Sequence, residues 1–134
     1  MPLSSTVRSL VIAVCMLVGA TALAGELDAL KNTTPAERAA AQTMMMKTKL
    51  GLTDDQVSKL RALNLKYAEQ MQPIIDGTEG PLMKMRDARN VEEQKEAELK
   101  GLLSPDQFQK FQAMKEEMRE HLMDQIQQQR NAGS

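Results

Sequence analysis

Apolar side chains recur at steps of three and four residues in two long stretches of this chain. Val57, Leu60, Leu63, Tyr67, Met71 and Ile75 make one stripe, and Phe108, Phe111, Met114, Met118, Leu122 and Ile126 make another, displaced by a constant 51 residues. Steps of three and four put each set on one face of a helix. The pattern predicts two long amphipathic helices with equivalent apolar faces.

The repetition includes the helix starts. Thr53 stands where a cap is needed, and Gln56, three residues on, can return a bond to the free backbone N–H of the cap. Asp54 and Asp55 face the positive end of the helix dipole. Leu52 before the cap and Val57 after it form a hydrophobic staple. The second copy fills the same roles: Leu103 staple, Ser104 cap, Pro105 first helical residue, Asp106 acid, Gln107 return bond and Phe108 staple partner. Asp55/Lys59 and Asp106/Lys110 repeat an i,i+4 ion-pair spacing of favourable orientation. Leu52, Thr53, Gln56, Leu103, Ser104 and Gln107 are therefore read as a structural motif.

Two further helices flank these. Thr34, Pro35 and Glu37 read as a capping box with proline at the first helical position. AERAAAQTMMMKTKL continues that helix, and Gly51 is placed to end it in the left-handed conformation. Pro73 falls within the first apolar stripe, where it removes a backbone donor. Since Ile74 and Ile75 continue the pattern, a bend is expected there rather than an end. DGTEGP (76–81) is a turn by composition. Residues 82–102 are helical but poorly amphipathic, with Asn90 and Glu93 offering a restart midway and Glu92–Lys100 reading as a solvated face. The expected fold is all-α, with four helices in a bent hairpin or cradle. Residues 25–34 form a flexible N-terminus, 35–130 a single domain and 131–134 a frayed tail. Long helices with modest stripes favour packing against a second copy, so a homodimer is expected.

The N-terminal 24 residues are set apart by their own pattern. Arg8 is their only charge, Leu10–Val18 is an unbroken apolar run, and Ala22-Leu23-Ala24 offers a cleavage site. These are the three parts of a secretory signal peptide; an uncleaved anchor is the alternative. The apolar run is far short of the roughly 20 residues a membrane-spanning helix needs. Cys15 lies inside it, so the remaining chain has no cysteine, and no disulfide, zinc–thiolate site or thiol nucleophile is expected there. The 17 basic residues include Arg8, against 18 acidic ones, leaving the rest slightly acidic. Tyr67, Phe108 and Phe111 are the only aromatics, and nucleic-acid binding is not expected.

The paired boxes LTDDQ (52–56) and LSPDQ (103–107), behind an export signal in a small helical Met-rich chain, resemble the Spy/CpxP family. These are periplasmic proteins of Gram-negative bacteria marked by LTxxQ motifs. The resemblance covers about residues 36–130. Ser104 replaces the usual threonine and keeps the capping oxygen. The resemblance implies a dimeric cradle of long helices in the periplasm. It further implies an ATP-independent chaperone of unfolded or misfolded proteins, a regulator of a sensor kinase, or a heavy-metal protein binding zinc, nickel or cobalt.

Candidate chemistry is sparse. One histidine and no cysteine beyond residue 15, together with the absence of a glycine-rich phosphate loop, argue against an enzyme. Flexible thioethers suit adaptable binding surfaces, which makes Met44, Met45, Met46, Met71, Met114 and Met118 the candidate client-binding residues. The Met44–Met46 triplet covers much of a helix circumference and is the first place to look for exposure. No cofactor is expected. The alternative is a metal site at Glu117 and His121, four residues apart on one helix face and suited to zinc, nickel or copper.

Overall fold

The computed structural model describes residues 30–133. The expected signal peptide (1–24) and the first residues of the expected flexible N-terminus (25–29) lie outside the described residues. A single 3-10 turn, Leu30–Asn32, is followed by four helices: α1 (Pro35–Leu50), α2 (Asp54–Asp76), α3 (Pro81–Leu102) and α4 (Pro105–Ala132). No strand occurs among the described residues, so the all-α, four-helix expectation holds.

Each of the three boxes read from the sequence closes. The Thr34 hydroxyl accepts from the N–H of Glu37 while the Glu37 carboxylate accepts from the N–H of Thr34, at 3.1 and 2.8 Å. Thr53 with Gln56 and Ser104 with Gln107 do the same. Such a cap is worth about 1 kcal/mol. Gly51, at φ 63° and ψ 53°, ends α1 in the left-handed region that a side chain would disfavour. The Asp55–Lys59 ion pair forms at 2.9 Å, whereas no such pair joins Asp106 to Lys110.

α2 runs through Pro73 to Asp76 without ending. α3 is continuous from Pro81 to Leu102, so the restart offered by Asn90 and Glu93 is not used. α4 continues to Ala132, past the boundary expected at 130, and its last turn is tied by the Gly133 N–H donating to the Gln129 carbonyl.

α2 is the central element, packed along α1 on one side and α3 on the other. The main core draws on all four helices: Met46 and Leu50 from α1, Leu60, Leu63 and Tyr67 from α2, Leu99 from α3, and Phe111 and Met114 from α4, with Leu103 before its cap. A smaller cluster joins Met71 and Ile75 of α2 to Ala88 of α3. The α2 stripe is thus buried from Leu60 to Ile75. The α4 stripe is buried at Phe111, Met114 and Leu122 and half-exposed at Phe108, Met118 and Ile126.

Candidate functional site

The two boxes, 51 residues apart in sequence, meet in space. The Gln56 amide donates to Gln107 Oε1 at 2.6 Å, and the Gln107 amide donates back to Gln56 Oε1 at 3.0 Å. Each amide nitrogen also lies 3.4 Å from the carbonyl oxygen just before the other box, Leu102 for Gln56 and Gly51 for Gln107. These partners are equivalent by the repeat, so the junction has local two-fold character. Each glutamine closes its own cap, pairs with its counterpart and reaches the partner loop. Leu52 and Leu103 pack into the core below. The boxes join the starts of α2 and α4, and both glutamine side chains are engaged within this junction.

The candidate client-binding methionines divide into three groups. Met46, Met71 and Met114 are buried in the core, Met46 completely. They are not a surface, because i,i+3 and i,i+4 spacing turns them toward the other helices. Met45 and Met118 are half-buried and packed on the rim of the main core. Met44 alone of the six is open, at 71 % exposure. Other large apolar side chains in solvent are Leu82 and Met83 at the start of α3 and Met123 on α4, with Leu65 on α2 at the margin. The six candidate methionines thus do not form one exposed face among the described residues, and the exposed apolar side chains are dispersed.

The alternative metal residues lie in solvent. Glu117 and His121 are both exposed. The ring Nε2 of His121 accepts from the Gln125 amide, one turn onward, at 3.3 Å. Among the described residues no group of three His, Cys, Asp or Glu side chains is placed to hold an ion, and no helix is long and apolar enough to cross a membrane.

The least foreseeable feature is a polar seam under α1. Arg38, Gln42 and Thr43 are buried on its inner face, opposite Asn64 of α2 and Lys95 of α3. Lys95, 2 % exposed, donates to Gln42 Oε1 at 2.6 Å. Asn64 donates to the Thr43 hydroxyl at 3.0 Å, which itself donates to the Ala39 carbonyl. Arg38 holds the other end, donating to the Thr33 carbonyl at 2.8 Å and to Gln72 Oε1 at 2.6 Å. Gln42 Nε2 and Asn64 Oδ1 have no hydrogen-bond partner, a cost in a buried interface. Burial pushes the Lys95 ammonium below its usual range, with Glu92 opposing. Burial raises the half-buried Glu92, opposed by Lys95 and Lys115.

The expected solvated face of Glu92–Lys100 is therefore corrected at Lys95 and Leu99, which are buried. A signal was present in the sequence: Lys84, Ala88, Val91, Lys95 and Leu99 step by three and four. Two lysines occupy the inward register and conceal its apolar character. Lys84, also buried, donates to the Ile75 carbonyl at 3.2 Å, placing a cation at the negative end of α2. Glu96 is drawn the other way. Burial alone would raise its carboxyl, but hydrogen bonds from Lys115 and Gln112 outweigh that and hold it below the usual range.

Residues 24–111 match the model of a family described as Domain of unknown function (DUF4890). The matched region contains α1, α2, α3 and both boxes. No curated protein and no solved structure matches the chain.

Proposed function

The chain belongs to the DUF4890 family, and we propose that it is a periplasmic, ATP-independent chaperone or envelope-stress adaptor. It holds unfolded or aggregation-prone polypeptides by transient apolar contact, without covalent chemistry. The observation that carries this reading is the division of its flexible apolar side chains. One set closes a core shared by four helices, while Met44, Leu82, Met83 and Met123 stay in solvent on α1, α3 and α4. Unbranched thioethers adapt to varied partner shapes at little cost, and their dispersal suits many weak contacts rather than one fitted ligand. The paired boxes add the resemblance to the Spy/CpxP family. Client release follows from competition, because segments that fold withdraw their apolar surface.

A second copy belongs to the proposal. Only Phe111, Met114 and Leu122 are buried along the whole of α4, which leaves a long helix with little of its surface used. Sedimentation across a concentration series tests this, and a monomer at every concentration removes the dimer.

The test of function is light scattering by an unrelated unfolding protein, with and without the purified chain. Suppression at near-stoichiometric amounts, indifferent to zinc, nickel or copper, supports the chaperone reading. Absence of suppression together with a metal-dependent rise in Tm moves the function to metal binding.

A further inference from the structure

The three consecutive methionines of α1 occupy three different environments. Met44 is 71 % exposed, Met45 is half-buried against the rim of the main core, and Met46 is fully buried within it. The same helix is docked largely through polar groups. Four of its six buried residues are Arg38, Gln42, Thr43 and the small Ala39, and the seam includes two unpartnered amide atoms and the buried ammonium of Lys95. Strong apolar attachment of α1 is therefore concentrated at Met46 and Leu50, with Met45 beside them. No cysteine lies beyond residue 15, so in the described chain thioethers are the only sulfur open to two-electron oxidants.

We propose that Met45 is an oxidation site that controls the docking of α1, and that its substrate class is small peroxides. The thioether sulfur attacks one peroxide oxygen; an S–O bond forms and the O–O bond breaks. Sulfur loses two electrons and becomes the sulfoxide. The displaced hydroxide takes up the proton from the transferred oxygen and leaves as water, or as an alcohol from an alkyl peroxide. Met44 reacts first because it is open, and its sulfoxide stays in solvent with no structural effect. Met45 reacts next. Its sulfoxide is polar and strongly accepting, and it replaces an apolar contact at the rim of the main core. α1 then loosens, since the polar seam supplies little to hold it. Met46, Met71 and Met114 are protected until that happens. This inference stands apart from the chaperone reading and needs no client.

Graded hydrogen peroxide treatment of the purified chain tests it, with peptide mass mapping of each methionine and hydrogen exchange of the backbone amides. Within the triplet, oxidation is expected in the order Met44, Met45, Met46, with the exposed Met83 and Met123 converting before Met45. The exchange of α1 amides should accelerate roughly tenfold or more as Met45 converts, with α2 amides little changed, and methionine sulfoxide reductase should restore the slow exchange. Met45→Leu, a volume-conserving change that a core tolerates, should keep α1 protected under the same treatment. Met44→Leu should behave as the wild type. Full oxidation of Met45 with unchanged α1 exchange overturns the proposal, as does equal loss of protection in Met45→Leu.

Discussion

Gln56 and Gln107 exchange hydrogen bonds in both directions, 2.6 Å one way and 3.0 Å the other, across 51 residues of sequence. Each amide therefore serves a local cap and a long-range junction. A box that only started a helix would need no counterpart; these two also fasten the starts of α2 and α4 together. The repeat in the sequence is explained by this mutual fit, because each copy supplies what the other requires.

Removing one glutamine thus leaves its partner with an unmet amide as well as an open cap. Gln56→Ala and Gln107→Ala are each expected to cost about 1–3 kcal/mol. The double variant should cost less than the sum, with a coupling of about 0.5–1.5 kcal/mol. Urea unfolding of the four chains gives the number. Additive losses would mean that the glutamines act only as separate caps. Thr53→Ala, which removes a capping oxygen alone, should lower Tm and leave any activity unchanged except through stability.

The Lys95–Gln42 bond is strong only as a pair. Gln42→Ala leaves a buried ammonium without its acceptor and is expected to destabilise the fold by about 1–3 kcal/mol. Replacing both together, Gln42→Leu with Lys95→Met, removes the desolvated charge and the orphaned amide nitrogen. That chain should be as stable as the wild type or more so. A double variant as unstable as Gln42→Ala would show that the polar seam is required for packing and is not a cost.

Caps, turns and regular stripes were legible in the sequence because each rests on neighbours within four residues. Thr34, Thr53 and Ser104 are examples, as is Gly51, whose positive φ follows from its place between two helical signals. What lay hidden depended on partners far along the chain. Lys95 reads as one more charge in a polar run until Gln42, on another helix, meets it. Met46 and Met44 are indistinguishable by type, and only the docking of α1 on α2 separates core from surface. Pro73 reads as a bend rather than an end because Ile74 and Ile75 continue the stripe, and burial of Met71 and Ile75 on either side does carry the helix past it. Even so, the inward register of Lys84, Ala88, Val91, Lys95 and Leu99 was present, masked by two lysines that polarity-based reading places outside.

Stability should depend on alkaline pH in a way traceable to Lys95. Its burial depresses the folded-state pKa below the ordinary 10.5, so between the two values the unfolded chain binds more protons than the folded one. Stability then rises with pH across that window. Tyr67 opposes this. Burial, together with its bond to Glu98, raises its phenol above the usual 10.0, which makes stability fall as pH rises past that value. The contribution of Lys95 is isolated by subtracting the Lys95→Met profile from that of the wild type in urea unfolding at pH 7 to 10. The difference should move in favour of the wild type once pH passes the depressed folded-state value of Lys95. A flat difference would mean that Lys95 keeps an ordinary pKa, and therefore that water reaches it.

The methionine triplet separates binding from folding if it is changed one residue at a time. Replacing all three by serine would confuse the two, since Met46 has no exposed surface and its loss opens a cavity in the core shared by four helices. Met46→Ser alone should cost about 2–5 kcal/mol and lower Tm sharply. Met44→Ser touches an open position and should change stability by less than about 0.5 kcal/mol. If solvent-facing thioethers hold clients, that same change should weaken suppression of light scattering severalfold at unchanged helicity and Tm. Adding Met83→Ser and Met123→Ser should deepen the loss, because dispersed contacts contribute jointly. Suppression that survives all three substitutions would take these methionines out of the binding surface, leaving Leu82, at 82 % exposure, as the most exposed large apolar side chain still able to meet a client.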